Sequence, residues 1–306
     1  MEGFMRSHPV VLLDGGLATE LERQGYDLNH PLWSARLLTE NPAAIRDAHL
    51  RFFDAGLSPS ESRALFHRAI DLAVEARGLN GQRTGKDADK LIIGSCGPYG
   101  AYLADGAEYR GNYGVDPDVL RDFHRERLAV LLETGKVDGI VFETVPDRTE
   151  AKVIVSGVLR EFPDLRGCVW LSFSCSSGST ICCGESFRDT VNEMLQLDAR
   201  DRFLCGIGVN CSSPDVIIPL LCDPSPLAPS HMGSVRLIAY PNSGEQWDTH
   251  THSWCGPRGG GAGGLADYVG GWVDGGVSVV GGCCRTFPDD IALMRSRLDE
   301  RGGEGT

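Results

Sequence analysis

Val277-Ser278-Val279-Val280-Gly281-Gly282-Cys283-Cys284-Arg285 reads as a short buried strand running into paired glycines and two adjacent cysteines. Its β-branched residues favour extended backbone, and the glycines let the chain bend and approach a ligand closely. The cysteines therefore fall at the strand's C-terminal end, where side chains can turn toward a common centre. Such a pair has three readings: a strained vicinal disulfide, two inert buried thiols, or two thiolate ligands to a soft cation such as zinc. Ile207-Gly208-Val209-Asn210-Cys211 is a second apolar run that ends in a cysteine. Three thiolates from two strand ends leave a tetrahedral zinc one ligand short, and an open position separates catalytic from structural zinc. On that reading the three sulfurs lie within about 4 Å of one another, as Zn–S bonds of about 2.3 Å require.

The same frame recurs along the chain. Residues 10–13, 91–96, 139–142, 168–173, 235–240 and 277–280, with the run into Cys211, make seven predicted strands. Helical patterns cover 42–55, 58–77, 117–134, 147–162, 186–195, 214–221, 265–273 and 288–298. Such alternation implies parallel strands joined by helical crossovers. Asp14, Glu143, Cys175, Cys211, Asn242 and Cys283 follow the strands' C-terminal ends. A (β/α)8 barrel of the TIM type gathers those ends on one rim, where function collects. The rival is a doubly wound sheet, which gathers residues near its switch point instead.

Composition narrows the classes. The chain of 306 residues is 42% hydrophobic, with 39 glycines and 16 prolines, and is expected to form one domain over residues 1–306. A net charge of −13 argues against a nucleic-acid partner, because phosphate contacts need clustered Lys and Arg. The sequence has no long uncharged apolar run that would span a membrane. Eleven cysteines behind residues that lack a signal-peptide core point to reduced thiols in the cytoplasm.

Several local features stay open at this stage. Asp14, at a strand-to-helix corner, is either a helix cap or a contact to a substrate amine. Trp33 either packs or covers a site. His250, His252 and Cys255 lie in a polar stretch and read as solvent-exposed. Cys182-Cys183 is a second vicinal pair without a strand-end frame, and reads as part of a loop. Near Gly56 a helix ends and Ser58-Pro59-Ser60-Glu61 starts another at once, with no strand between them.

Asp14-Gly15-Gly16-Leu17-Ala18-Thr19-Glu20-Leu21, Phe142-Glu143-Thr144, Gly208-Val209-Asn210-Cys211, Tyr240-Pro241-Asn242-Ser243-Gly244-Glu245 and Gly281-Gly282-Cys283-Cys284-Arg285 together resemble the homocysteine S-methyltransferase family. The likeness is to the branch that uses S-methylmethionine or S-adenosylmethionine, and it runs from about Val10 to Leu298. It implies a (β/α)8 barrel, zinc on Cys211, Cys283 and Cys284, and substrate contacts from Asp14, Glu143 and Asn210. It also implies two small-molecule substrates, homocysteine and a sulfonium methyl donor, with transfer of the methyl to a zinc-activated thiol to give methionine. One departure stands out: in the family a strand and a loop separate the equivalents of Ala55-Gly56 and Leu57-Ser58-Pro59. Here they are joined directly, so seven core strands are expected, with the second missing. The alternative is a zinc-binding chain whose catalysis is impaired.

Overall fold

The structure is a computed structural model that describes residues 11–12, 59–85, 90–103, 105–222, 226–227, 234–248, 253–259 and 263–303. Asp14, Trp33, the helix expected at 42–55, the junction of Gly56 with Leu57, and His250 and His252 lie outside the described residues.

In chain order the main elements are β1 (Val11–Leu12), α1 (Pro59–Thr84), β2 (Ile93–Cys96), α2 (Tyr99–Leu103), α3 (Pro117–Glu133), β3 (Gly139–Val145), α4 (Arg148–Ser156) and β4 (Val169–Phe173). There follow α5 (Phe187–Asp198), β5 (Leu204–Asn210), β6 (Arg236–Tyr240), β7 (Gln246–Asp248), β8 (Ser253–Cys255), α6 (Ala266–Asp274), β9 (Val277–Val280) and α7 (Pro288–Gly303). Seven strands form one sheet in the order β1-β9-β6-β5-β4-β3-β2, and every neighbouring pair is parallel. From β2 onward each strand of this sheet lies beside the next one in the chain. The first pairs with the last, Val11 opposite Val279 and Leu12 opposite Val280. A doubly wound sheet reverses its order at a switch point; this one does not, and that rival fails.

Local chemistry sets the element ends. Asp116, Asp147 and Ser186 cap α3, α4 and α5 through side-chain oxygens that accept backbone N–H groups. Helix α1 passes the expected stop at Gly78, since an internal glycine costs only about 1 kcal/mol, and closes at Gly85, whose φ is +70°. The helix expected over 147–162 breaks after Ser156; Gly157 intervenes and a 3-10 turn covers Val158–Glu161. The segment expected to be helical at 214–221 is a 3-10 turn, Pro214–Val216, followed by a π turn, Ile218–Cys222. The stretch around Cys255 is partly an antiparallel hairpin of β7 with β8, whose three-residue strands are too short to show alternation.

The sheet is covered on both faces. Phe142, Leu171, Phe173, Ile207, Val209 and Ala239 share a core with helical residues such as Leu128, Ile154 and Met194. Each of these side chains larger than alanine contributes about 1.5–3 kcal/mol of burial. On the other face Val141, Trp170, Ile238, Tyr240 and Val279 form a second cluster with Ile93 and Cys205. Gly206 makes room for it: a Cβ there would lie 2.4 Å from Ile238 Cδ1 and 3.0 Å from Trp170 Cδ1. Toward the strands' C-terminal ends this second face turns polar, with Ser95, Glu143, Ser172 and Asn210.

Candidate metal centre

Strand β5 ends at Asn210, and Cys211 then turns into the left-handed region at φ 47°. Beyond β9, Cys283 N donates to Pro241 O at 2.8 Å and Ser243 N to Cys284 O at 3.1 Å, which fastens the paired cysteines to the end of β6. Gly282 has no room for a side chain, because a Cβ would fall 2.2 Å from Thr286 Cγ2.

These turns bring three thiols together. The sulfurs of Cys211 and Cys284 are 3.9 Å apart, those of Cys283 and Cys284 4.0 Å, and all three lie within 4.8 Å of one another. Sulfurs bound tetrahedrally to one ion at about 2.3 Å stand about 3.8 Å apart, so two pairs have the required spacing and the third is no wider than 4.8 Å. None of the eleven cysteines is held in a disulfide, and 4.0 Å between Cys283 and Cys284 rules out the vicinal one. Asn242, 8% exposed, leaves its Oδ1 without a protein partner, an acceptor available to a ligand. Among the described residues this is the one group of three or more His, Cys, Asp or Glu able to hold a metal ion.

The electrostatics fit a cation. Hydrogen bonds from Cys283 and Cys284, and beside them Thr144 and Tyr109, hold the Cys211 thiol well below its ordinary pKa. Cys283 and Cys284 are pushed up, in each case first by the interaction with Cys211. Proton loss is thus easiest at Cys211, and a positive ion among the three sulfurs would favour it at the other two as well.

Glu143 lies on the face of the sheet that carries Val141 and Tyr240. The Ser95 hydroxyl donates to its Oε1, and Tyr240 stands close enough that burial first, and then Glu143, push the phenol's pKa up. Asn210 is 1% exposed and engages Thr144 with both ends of its amide, accepting from Thr144 N at 2.8 Å and donating to Thr144 Oγ1 at 2.7 Å. Cys175 is buried, and its N–H donates to Ser212 Oγ at 2.8 Å. Cys182 and Cys183 occupy a turn; burial raises the Cys182 thiol to about 11, and neither residue belongs to the metal-capable group. Cys255 is exposed.

Sequence reading missed Tyr109 and Thr144. Tyr109 sits beside the cysteine cluster, and its hydroxyl is pushed up first by Cys211. It arrives on a segment held by Ser174 Oγ, which donates to Glu108 O, and by Asp147 Oδ2, which accepts from Asn112 N. A tyrosine at the end of a three-residue 3-10 turn, Ala107–Tyr109, has no periodicity to betray it. Thr144 enters the sequence motifs only as the neighbour of Glu143, and its φ of 61° is visible only in the structure.

Comparison with known proteins points to one family. The model of the homocysteine S-methyltransferase family matches residues 11–62 and 56–298, two segments that meet around the Gly56–Leu57 junction. The homocysteine S-methyltransferase YbgG of Bacillus subtilis (strain 168) is 37% identical over 316 residues, covering 95% of each chain. That alignment is longer than the 306 residues of this chain, so the relative carries residues that it lacks. A selenocysteine Se-methyltransferase from Brassica oleracea var. italica is 35% identical, covering 95% of this chain and 89% of that one. The crystal structure of the homocysteine methyltransferase MmuM from Escherichia coli, in its metallated form, superposes with a TM-score of 0.76 at 32% identity. The match covers 96% of this chain and 98% of that one.

Proposed function

The chain belongs to the homocysteine S-methyltransferase family, and we propose that it moves a methyl group from S-methylmethionine or S-adenosylmethionine to the thiol of homocysteine, giving methionine. The observation that carries this reading is the meeting of Cys211, Cys283 and Cys284 at two strand ends, with the carboxylate of Glu143 on the face that carries Val141 and Tyr240. The three cysteines are the residues that would hold zinc. Zinc, when bound, supplies a positive charge that keeps an added thiol deprotonated near neutral pH.

The remaining chemistry falls to the chain's own groups. Glu143, fixed by Ser95, offers a carboxylate to the ammonium of homocysteine, and Asp14 is read as a second contact with the amino-acid end. The acceptor sulfur's electron pair forms the new S–CH3 bond as the donor's sulfonium S–CH3 bond breaks, which releases a neutral thioether. No proton moves in that step, so no general base is assigned and Glu143 is a binding residue.

We read the sheet as a (β/α)8 barrel of the TIM type that lacks its second strand and forms one domain over residues 1–306. The pairing of β1 with β9 supports this, as does the placing of the cysteines at the strands' C-terminal ends. The family match in two segments also favours a second reading, in which the chain binds zinc but transfers methyl groups poorly. We place the protein in the cytoplasm on its eleven cysteines, none of them in a disulfide. Among the described residues no helix is long and apolar enough to cross a membrane.

The test is to express the chain and measure bound zinc together with methyl transfer from each donor to homocysteine and to selenocysteine. About one zinc per chain with methionine formed is the expected outcome. Zinc without transfer supports the impaired reading, preferential transfer to selenocysteine reassigns the acceptor, and neither zinc nor transfer overturns the proposal.

A further inference from the structure

Strand β3 carries a register shift between Phe142 and Val145. Such a bulge re-aims side chains next to functional sites and frees backbone groups from the ladder. Thr144, inside it, takes φ 61°, a conformation that is an outlier for a β-branched residue and costs about 1–3 kcal/mol. Two strands away, Cys211 takes φ 47°. Asn210 joins the two strained positions. Its Oδ1 accepts the N–H of Thr144 at 2.8 Å, and its Nδ2 donates to Thr144 Oγ1 at 2.7 Å. Because Oγ1 accepts from Asn210, its own proton is directed elsewhere, and the sulfur of Cys211 lies beside it. Asn210, Thr144 and Cys211 thus close a ring of contacts, sealed by the peptide bond between Asn210 and Cys211.

We propose that Asn210 and Thr144 are positioning residues for the Cys211 thiol, a clamp across the ends of β3 and β5 that presets the metal centre. This assigns Asn210 to supporting the metal ligand, where the sequence resemblance assigns it to substrate. Both ends of its amide are already engaged, and it is 1% exposed. The same clamp sets the distance from Glu143, one residue before Thr144, to the metal centre. The inference rests on the metal reading above and extends it to residues behind the ligands.

The experiment compares zinc affinity, by competition with a chelator, in the full chain and in T144V, N210A, the double variant and T144S. Outer partners of metal ligands typically contribute 10–100-fold in affinity; T144V and N210A are each expected to lose about that factor. T144S, which keeps the hydroxyl, should recover most of it. Because the two residues act through one ring, the double variant should bind zinc nearly as well as the weaker single one. The metal-free melting temperature of T144V should stay within about 4 °C of the unsubstituted chain.

Affinities within about twofold of the unsubstituted chain would overturn the clamp, since about 10-fold is the least such partners typically give. So would losses that multiply in the double variant, or a metal-free melting temperature that falls in step with affinity. Should N210A not fold, T144V against T144S decides. A chain that binds zinc normally but transfers no methyl group sinks the proposed activity and leaves this inference standing; a chain that binds no zinc overturns this inference as well.

Discussion

His124 Nε2 lies 2.8 Å from Glu150 Oε1, and both side chains are fully buried. The same carboxylate accepts the N–H of Tyr99 at 2.6 Å and the hydroxyl of Tyr113 at 2.8 Å. One acid thereby ties α3 to the first turn of α4, and both to the segment between Tyr99 and Tyr113 that delivers Tyr109 to the cysteines. Burying such a group is costly unless its partners are complete.

Removing Glu150 is therefore expected to be severe. E150A leaves a buried imidazole, a phenol and a backbone N–H without their acceptor, and breaking a buried pair costs about 3–5 kcal/mol. Y113F removes one hydrogen bond and should cost about 1 kcal/mol. Denaturant unfolding of both variants checks the ranking; equal losses would show that the network does not centre on Glu150.

The thiols should react in a set order. Cys211 is held low by its neighbours, whereas burial pushes Cys96 and Cys205 up to about 12. Reactivity follows the thiolate fraction, so in metal-free protein at neutral pH an alkylating agent should label Cys211 long before Cys96 or Cys205. Zinc should protect Cys211, and C211S, C283S and C284S should each abolish stoichiometric zinc binding. Mass spectrometry of the labelled peptides reads the order, with exposed Cys255 as the internal reference.

Acid should remove one surface contribution selectively. Arg148 donates to Glu193 at 2.5 Å and Lys152 lies 3.2 Å from it, and Arg148 is the chief cause that holds the Glu193 carboxyl below its ordinary pKa. A depressed folded pKa gives stability that is present above the unfolded value of about 4.3 and lost as pH falls through the lower folded one. E193Q should thus melt below the unsubstituted chain near pH 7, with the difference shrinking toward zero below about pH 4. A difference that persists in acid would mean that packing, and not charge, is responsible.

The junction of Gly56 with Leu57 gives the fourth prediction. Among the described residues β1 pairs with β9 and β2 with β3, and no pairing joins β1 to β2. Apolar faces that a second strand would cover lose partners, and a few exposed large side chains cost several kcal/mol, against a net stability of about 5–15 kcal/mol. Inserting a strand and loop between Gly56 and Leu57 should raise both melting temperature and methyl-transfer rate. An unmodified chain that melts as high and turns over as fast would contradict this account of the junction.

By itself the sequence determined the alternation of strands with helices, and hence parallel pairing, because hydrophobic runs ending in glycine, cysteine or carboxylate repeat at strand-helix spacing; that the sheet is singly wound was decided by the pairing of its strands. It determined the three thiols as well, since each stands at a legible strand end. It did not reveal what surrounds them. Thr144 and Tyr109 reach Cys211 through a register shift in β3 and a pinned 3-10 turn, and Asn210 turns its amide onto Thr144. The helix after Asp147 stops at Ser156, where a pattern of apolar residues ran on to Phe162. These outcomes belong to tertiary structure, because hydrogen bonds between residues 66 positions apart leave no periodic trace. Whether a backbone bends into strain depends on the partners that folding brings to it.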